Sequence, residues 1–227
     1  MSDEVPIAFG VLLAAVAAVE SWRRYTASNA RLLRTFHRMP ITDPRDARDG
    51  TQVKIVGAAD PAGDTDLHAP FSGEPCLAYA ISVTRMGLGD ASEPSVQMLD
   101  ESHSAPFIVQ GRDFSVRVEA GDAAPLLVAE ECATQTSFKK LPERVRTMLA
   151  ERGFDREEVG GLHATIVVRE WLVSRGDRVE VGGVLCLEAA ASGGAMALPS
   201  MHFRDAPKTY RLRPAKGSRL VIVSALS

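Results

Sequence analysis

A chain of 227 residues, 45% apolar and 24% charged, has room for one ordinary globular domain plus an appendage. Its 29 acidic residues against 26 Lys and Arg leave a formal net charge of -3, and aromatics make up only 6%. A nucleic-acid reader needs a basic face interleaved with aromatics, so nucleic acid is excluded as a partner, and no compositional extreme points to another.

The N-terminus carries the most distinctive pattern. Residues 5–19 are an apolar run, and 5–22 would have to serve as a span, with Glu20 and Ser21 near one end. Crossing ~30 Å of hydrocarbon at 1.5 Å per residue takes about 20 apolar residues, so the length is borderline. Trp22 and Tyr25 stand where aromatic rings favour the interface; Arg23, Arg24, Arg31, Arg34 and Arg38 follow the run, whereas Asp3 and Glu4 precede it. Positive residues stay inside, which predicts a single-pass anchor in the bilayer with the N-terminus outside and the body cytoplasmic. Two other readings stay open. A cleaved signal peptide would use the small residues Ala14, Ala15, Ala17 and Ala18 but lacks a basic start. A buried helix of a soluble protein would extend the apolar stripe through Trp22, Tyr25, Leu32, Leu33 and Phe36.

Three segments follow from this pattern: an anchor and juxtamembrane helix over 1–38, a linker over 39–49 broken by Pro40 and Pro44, and a domain over 50–227. Within the domain, alternating apolar residues predict strands over 52–58, 77–83 and 114–118, and further β runs fall at 123–129, 163–171, 178–189, 209–212 and 220–224. That many short strands imply a barrel or a sandwich. One helix is expected over 141–152: Pro142 suits its first turn, Val145, Met148 and Leu149 share a face, Gly153 can close it, and Phe154 should pack back. The polar stretches 86–104 and 190–205 read as mobile excursions, and as the faces a partner would meet.

Signs of catalysis are few. The histidines His37, His68, His103, His163 and His202 are scattered without metal-ligand spacing, and no cofactor or metal site is expected. Cys76, Cys132 and Cys186 lie far apart in apolar surroundings, which predicts reduced, buried thiols and agrees with a cytoplasmic body. The pairs Glu130–Glu131 and Glu157–Glu158 read as solvated surface, and Gly160–Gly161 and Gly182–Gly183 as turns or bulges, since neither glycine pair belongs to a phosphate loop.

Two segments are built more deliberately. Around Pro70, Ser72, Gly73 and Pro75 a rigid turn delivers Cys76 and Tyr79 into a strand, Cys76 as a small core residue and Tyr79 as a larger one whose hydroxyl seeks a partner. From Glu170 and Leu172 a strand runs into Gly176-Asp177 and returns through Val179, Val181 and Gly182, which predicts a hairpin whose turn sets the register. With Gly57 at the end of the first strand and the apolar strand at 220–224, these segments resemble, in order and spacing, the GIDE or beside-a-membrane domain over roughly residues 50–224. The resemblance implies an OB-like β-barrel with one inserted helix, preceded by the single anchor helix, and engagement of other membrane or membrane-proximal proteins. The better-known members look like organelle-membrane ubiquitin ligases whose activity lies in a separate RING domain. This chain shows neither a second span nor the Cys and His ligands of a RING. The expectation is therefore a non-catalytic interaction or regulatory module, with a role in a ubiquitin-like ligase pathway or an OB-type ligand site as alternatives.

Overall fold

The computed structural model describes residues 28–64, 66–86, 95–129, 131–154, 165–189 and 208–224. The candidate span at 5–22 and the excursion at 190–205 lie outside them. Among the described residues no helix is long and apolar enough to cross a membrane. The chain divides into two units at Pro40/Ile41.

In the first unit, residues 28–38 form helix α1. Its last turn ends with the Met39 amide donating to the carbonyls of Thr35 at 3.2 Å and Phe36 at 3.1 Å.

The second unit is mainly β, and its centre is a closed barrel of five strands. β1 (Gln52–Pro61), β4 (Phe107–Gln110), β5 (Ser115–Val118), β10 (Lys208–Arg213) and β9 (Arg178–Ala189) lie side by side in that order, and β9 pairs back onto β1. Every pairing in the ring is antiparallel except β5 with β10. Period-two burial explains why these strands close. Val53 and Ile55, Val116 and Val118, Val179 and Val181 all point into one buried core with Phe107, Leu185 and Leu212. Beyond the first half of β9, β11 (Val221–Ser224) and β6 (Leu126–Val128) extend the sheet.

A second, four-stranded sheet is assembled from two insertions into the barrel. β2 (Ala78–Arg85) and β3 (Val96–Ser104) come between β1 and β4; β7 (Glu131–Ser137) and β8 (Thr165–Val173) come between β5 and β9. Their order is β3-β2-β8-β7, antiparallel throughout. A 3-10 turn (Phe138–Lys140) and helix α2 (Glu143–Ala150) connect β7 towards β8, and α2 sets Val145 and Leu149 against Ile81, Val83, Leu99, Ile166 and Val168 in a second core. The helix is shorter than the expected 141–152, with Pro142 as its N-cap and a turn over 151–153 after it, but Gly153, φ +81, closes it as expected. The Gly153 amide donates to Ala150 at 2.9 Å and the Phe154 amide to Leu149 at 3.0 Å, a Schellman closure that folds Phe154 back onto the second core. Arg152, at the same end, pairs with Glu101 on β3.

Several expectations change. The stretch 86–104 is not one excursion, because its second half is β3. β4, too short to show a periodic signal, and β7, too polar to show one, are strands as well. Gly57 lies inside β1 rather than at its end. The Gly176-Asp177 turn does not close a hairpin: β8 already has β2 and β7 on its two edges, β9 has β1 on one edge and β10 and β11 on the other, so the turn carries the chain from one sheet to the other. Residues 41–49, read as a linker, are tied to the barrel, with Ile41 bridging Lys54 and the Asp49 carboxylate accepting from the Leu187 amide at 2.8 Å.

Candidate functional site

The residues singled out in the sequence gather where the chain passes between the barrel and the second sheet. The turn that leads into β2 is first closed on itself. The Gly73 amide donates to Ala69 at 3.0 Å, the Ala69 amide to Glu74 at 2.9 Å and the Cys76 amide to Leu67 at 2.9 Å, with Pro75 bridging His68. Prolines remove two donors and fix two φ angles, so few backbone groups are left to satisfy. Two of those, the amides of Phe71 and Ser72, point at Glu170.

Glu170 is 2% exposed, in the interior of β8. Its Oε1 accepts from the Phe71 amide at 2.7 Å and its Oε2 from the Ser72 amide at 3.0 Å. A buried carboxylate is costly unless hydrogen-bonded, and bonds to a charged acceptor are the stronger ones. The two motif segments, nearly a hundred residues apart, are thus one clamp. Beside it, burial pushes the Cys76 thiol up to about 11, the nearby Glu170 charge adding to the effect and Arg144 opposing it. Burial likewise raises Tyr79, against Arg144. The Tyr79 ring lies 5.4 Å from that of His103. A thiol held this far from ionisation is a core residue rather than a nucleophile.

A second fixing point is the turn after β8. Asp177 Oδ2 accepts from the Ser174 amide at 2.8 Å, and Gly176 takes φ +89. The Gly176 amide donates to the Ala59 carbonyl at 2.7 Å, and the Ala59 amide to the Asp177 carbonyl at 2.8 Å, so the turn is pinned to β1. Two residues earlier Gly57 lets β1 meet β4, since a Cβ there would stand 2.4 Å from the Gln110 oxygen. Val179 and Val181 fill the barrel, Leu172 packs on the second core, and Gly182 pairs with Lys54 on one side and Val221 on the other. Of the three cysteines only Cys76 is buried; Cys132 is exposed and Cys186 intermediate, which corrects the expectation of three core thiols.

Two further polar features went unnoticed in the sequence. On the outside of β5, β9 and β10, Glu119 accepts from Arg117 at 2.8 Å and from Arg213 at 3.1 Å, while Arg211 reaches Glu188 at 2.8 Å. The i, i+2 spacing of Arg117 with Glu119, and of Arg211 with Arg213, places each pair on one face of a strand and is the signal that could have found them. The other is a cavity of about 100 Å³ between the end of β3 and residues 120–125. Its wall is held by the Ser102 hydroxyl donating to the Pro125 carbonyl at 2.6 Å and by Arg219 donating to the Ala124 carbonyl at 2.6 Å. Among the described residues no group of three or more His, Cys, Asp or Glu is placed to hold a metal ion.

Fold and site together define a mainly-β barrel protein with an inserted, helix-covered sheet. No family model, curated protein or solved structure matches the chain.

Proposed function

We propose that this chain is a membrane-anchored, non-catalytic interaction or regulatory module of the GIDE type, with an OB-like barrel as its body. The observation that carries the reading is the Glu170 clamp. It joins the two segments on which the resemblance rests, and it uses their polar groups for architecture. The ring order β1-β4-β5-β10-β9, with one parallel contact and a helix inserted between its third and fourth ring members in chain order, supports the OB-like description. The anchor rests on the apolar residues 5–22 and the arginines that follow them, which orient the body to the cytoplasmic side. A tether of this kind raises the effective concentration of the barrel for proteins on the same membrane, so a weak binding face suffices.

Alkaline carbonate extraction of the full chain from its native membranes tests the anchor. The wild-type chain should stay in the pellet and Leu13→Arg should enter the supernatant, because a charge at mid-span costs about 3 kcal/mol. A wild-type chain released by carbonate overturns the anchor. Mild crosslinking in the same membranes should then enrich defined membrane proteins with the full chain, and recovery of none removes the interaction role.

A further inference from the structure

We infer that helix α1 docks on the bilayer surface through Arg31, Arg34 and Arg38, and that their partner is the headgroup layer of a leaflet containing anionic phospholipid. The inference rests on the anchor proposed above, which sets where the helix lies. Within α1 the side chains divide into two faces. With 3.6 residues per turn, positions 31, 34 and 38 fall within about 60° of one another, and all three arginines are exposed. Leu32 and Leu33, on the other side, are half-buried and Phe36 is 2% exposed. Among the described residues no carboxylate or hydrogen-bond acceptor meets any of the three guanidinium groups. Elsewhere the arginines are answered: Arg117 and Arg213 meet Glu119, Arg211 meets Glu188, and Arg45 takes Asp43, the first acid after the helix, at 2.6 Å.

Charge and position select the partner. Residues 21–42 hold five of the 26 basic residues, Arg23, Arg24, Arg31, Arg34 and Arg38, and none of the 29 acids, in a chain whose net charge is -3. A cluster of this size directly after a span is what an anionic leaflet attracts. Guanidinium suits the task, because its planar fork takes two oxygens of one phosphate and sheds water more readily than an ammonium group. Arg31 follows Trp22 by nine residues, so even a fully extended connection keeps it within about 30 Å of the end of the span. A lipid surface is thus the anion that the tether presents continuously, at high effective concentration.

A nitroxide at position 35 reads the docking, since Thr35 is exposed, one helical turn from Arg31 and from Arg38. The full chain carries Thr35→Cys with Cys132→Ser and Cys186→Ser, which leaves only the buried Cys76 besides the labelled thiol. It is reconstituted into vesicles of phosphatidylcholine alone or of phosphatidylcholine mixed with phosphatidylglycerol. Access of a neutral, water-soluble nickel chelate to the label should fall at least about twofold in the mixed vesicles. Access should recover in about 1 M salt, where the Debye length is about 3 Å. Arg31→Gln, Arg34→Gln and Arg38→Gln together, all at exposed positions, should make access equal in the two vesicles. Equal access without those three changes overturns the inference, as does protection that the triple variant retains. Flotation after a carbonate wash separates this result from the anchor. A chain that stays with phosphatidylcholine vesicles but shows equal access keeps the anchor and loses the docked helix. One that carbonate releases, yet that the mixed vesicles protect before the wash, loses the anchor and keeps the docking. Protection in native membranes but in neither vesicle would assign the stripe to an acidic protein, and likewise overturns the inference.

Discussion

In the sequence Glu170 stands out only as the first residue of the segment running into Gly176-Asp177, with no partner indicated, yet it is among the most buried side chains of the body and meets two backbone amides. Its removal leaves those amides without their acceptor. Glu170→Ala should therefore lower stability by about 2 kcal/mol, and Glu170→Gln, which keeps one carbonyl oxygen, by about half as much. Thermal unfolding followed by circular dichroism checks this; an unchanged midpoint for Glu170→Ala would mean that the clamp contributes nothing. The cysteines give a second residue-scale prediction. With its thiol pushed up to about 11, first by burial and then by the Glu170 charge, Cys76 is almost wholly protonated at pH 8, whereas Cys132 is exposed. Titration of the Cys186→Ser variant with an aromatic disulfide reagent should give a fast phase that a further Cys132→Ser abolishes and a slow one that a further Cys76→Ser removes. A fast phase persisting when both Cys132 and Cys186 are serine would contradict the burial of Cys76.

Elements depend on how closely they can approach and on what charges line them. At Gly57 the chain leaves β9 as a partner and takes β4, and the Gln110 carbonyl fills the space of a side chain. Gly57→Ala should cost about 1–3 kcal/mol by forcing β1 and β4 apart. Gly176→Val has open space but a φ of +89, so its cost is strain of about 1–2 kcal/mol. A melting midpoint unchanged in either variant would refute the corresponding reading. The acid response of the barrel wall follows from Glu119. Burial opposes its ionisation, but hydrogen bonds from Arg213 and Arg117 and the charge of Arg211 outweigh this and hold its carboxyl below the usual range. A lowered folded-state value means a contribution that is present above the ordinary carboxylate range and lost as pH falls through the folded-state value. Wild type and Glu119→Gln should accordingly differ in melting midpoint at neutral pH and converge in acid; a constant gap would show that the charge is irrelevant. What was legible at this scale was periodic. β9 falls on 178–189 as expected because its apolar residues alternate, and the closing of α2 through Gly153 was legible because that closure is local. β7 was invisible because an edge strand, half in solvent, can be polar on both faces, and β3 because Met98 and Leu99 are buried in succession beside an irregular register. The partners of β8 and β9 come from distant parts of the chain, so turn chemistry at Gly176-Asp177 could suggest a hairpin but could not decide it.

For the body as a whole, the two cores stand in unequal positions. The barrel closes on itself, so each of its five ring members has neighbours on both sides. The second sheet consists of insertions whose four ends return to the barrel, and its order rests on the junctions: the Glu170 clamp, the turn pinned to Ala59, and the bond from the Leu77 amide to the Val173 carbonyl at 2.7 Å. Loosening a junction frees the insertions before it opens the ring, because the ring keeps its own ladders and its own apolar interior. Hydrogen exchange should therefore separate the cores. In wild type the slowest amides should lie in β1, β9 and β10. Glu170→Ala should speed exchange in β2, β8 and α2 by more than tenfold while leaving the slowest barrel amides within a factor of a few. Equal acceleration of both regions would mean that the second unit unfolds as one block, and that the clamp stabilises the barrel as much as the sheet inserted into it.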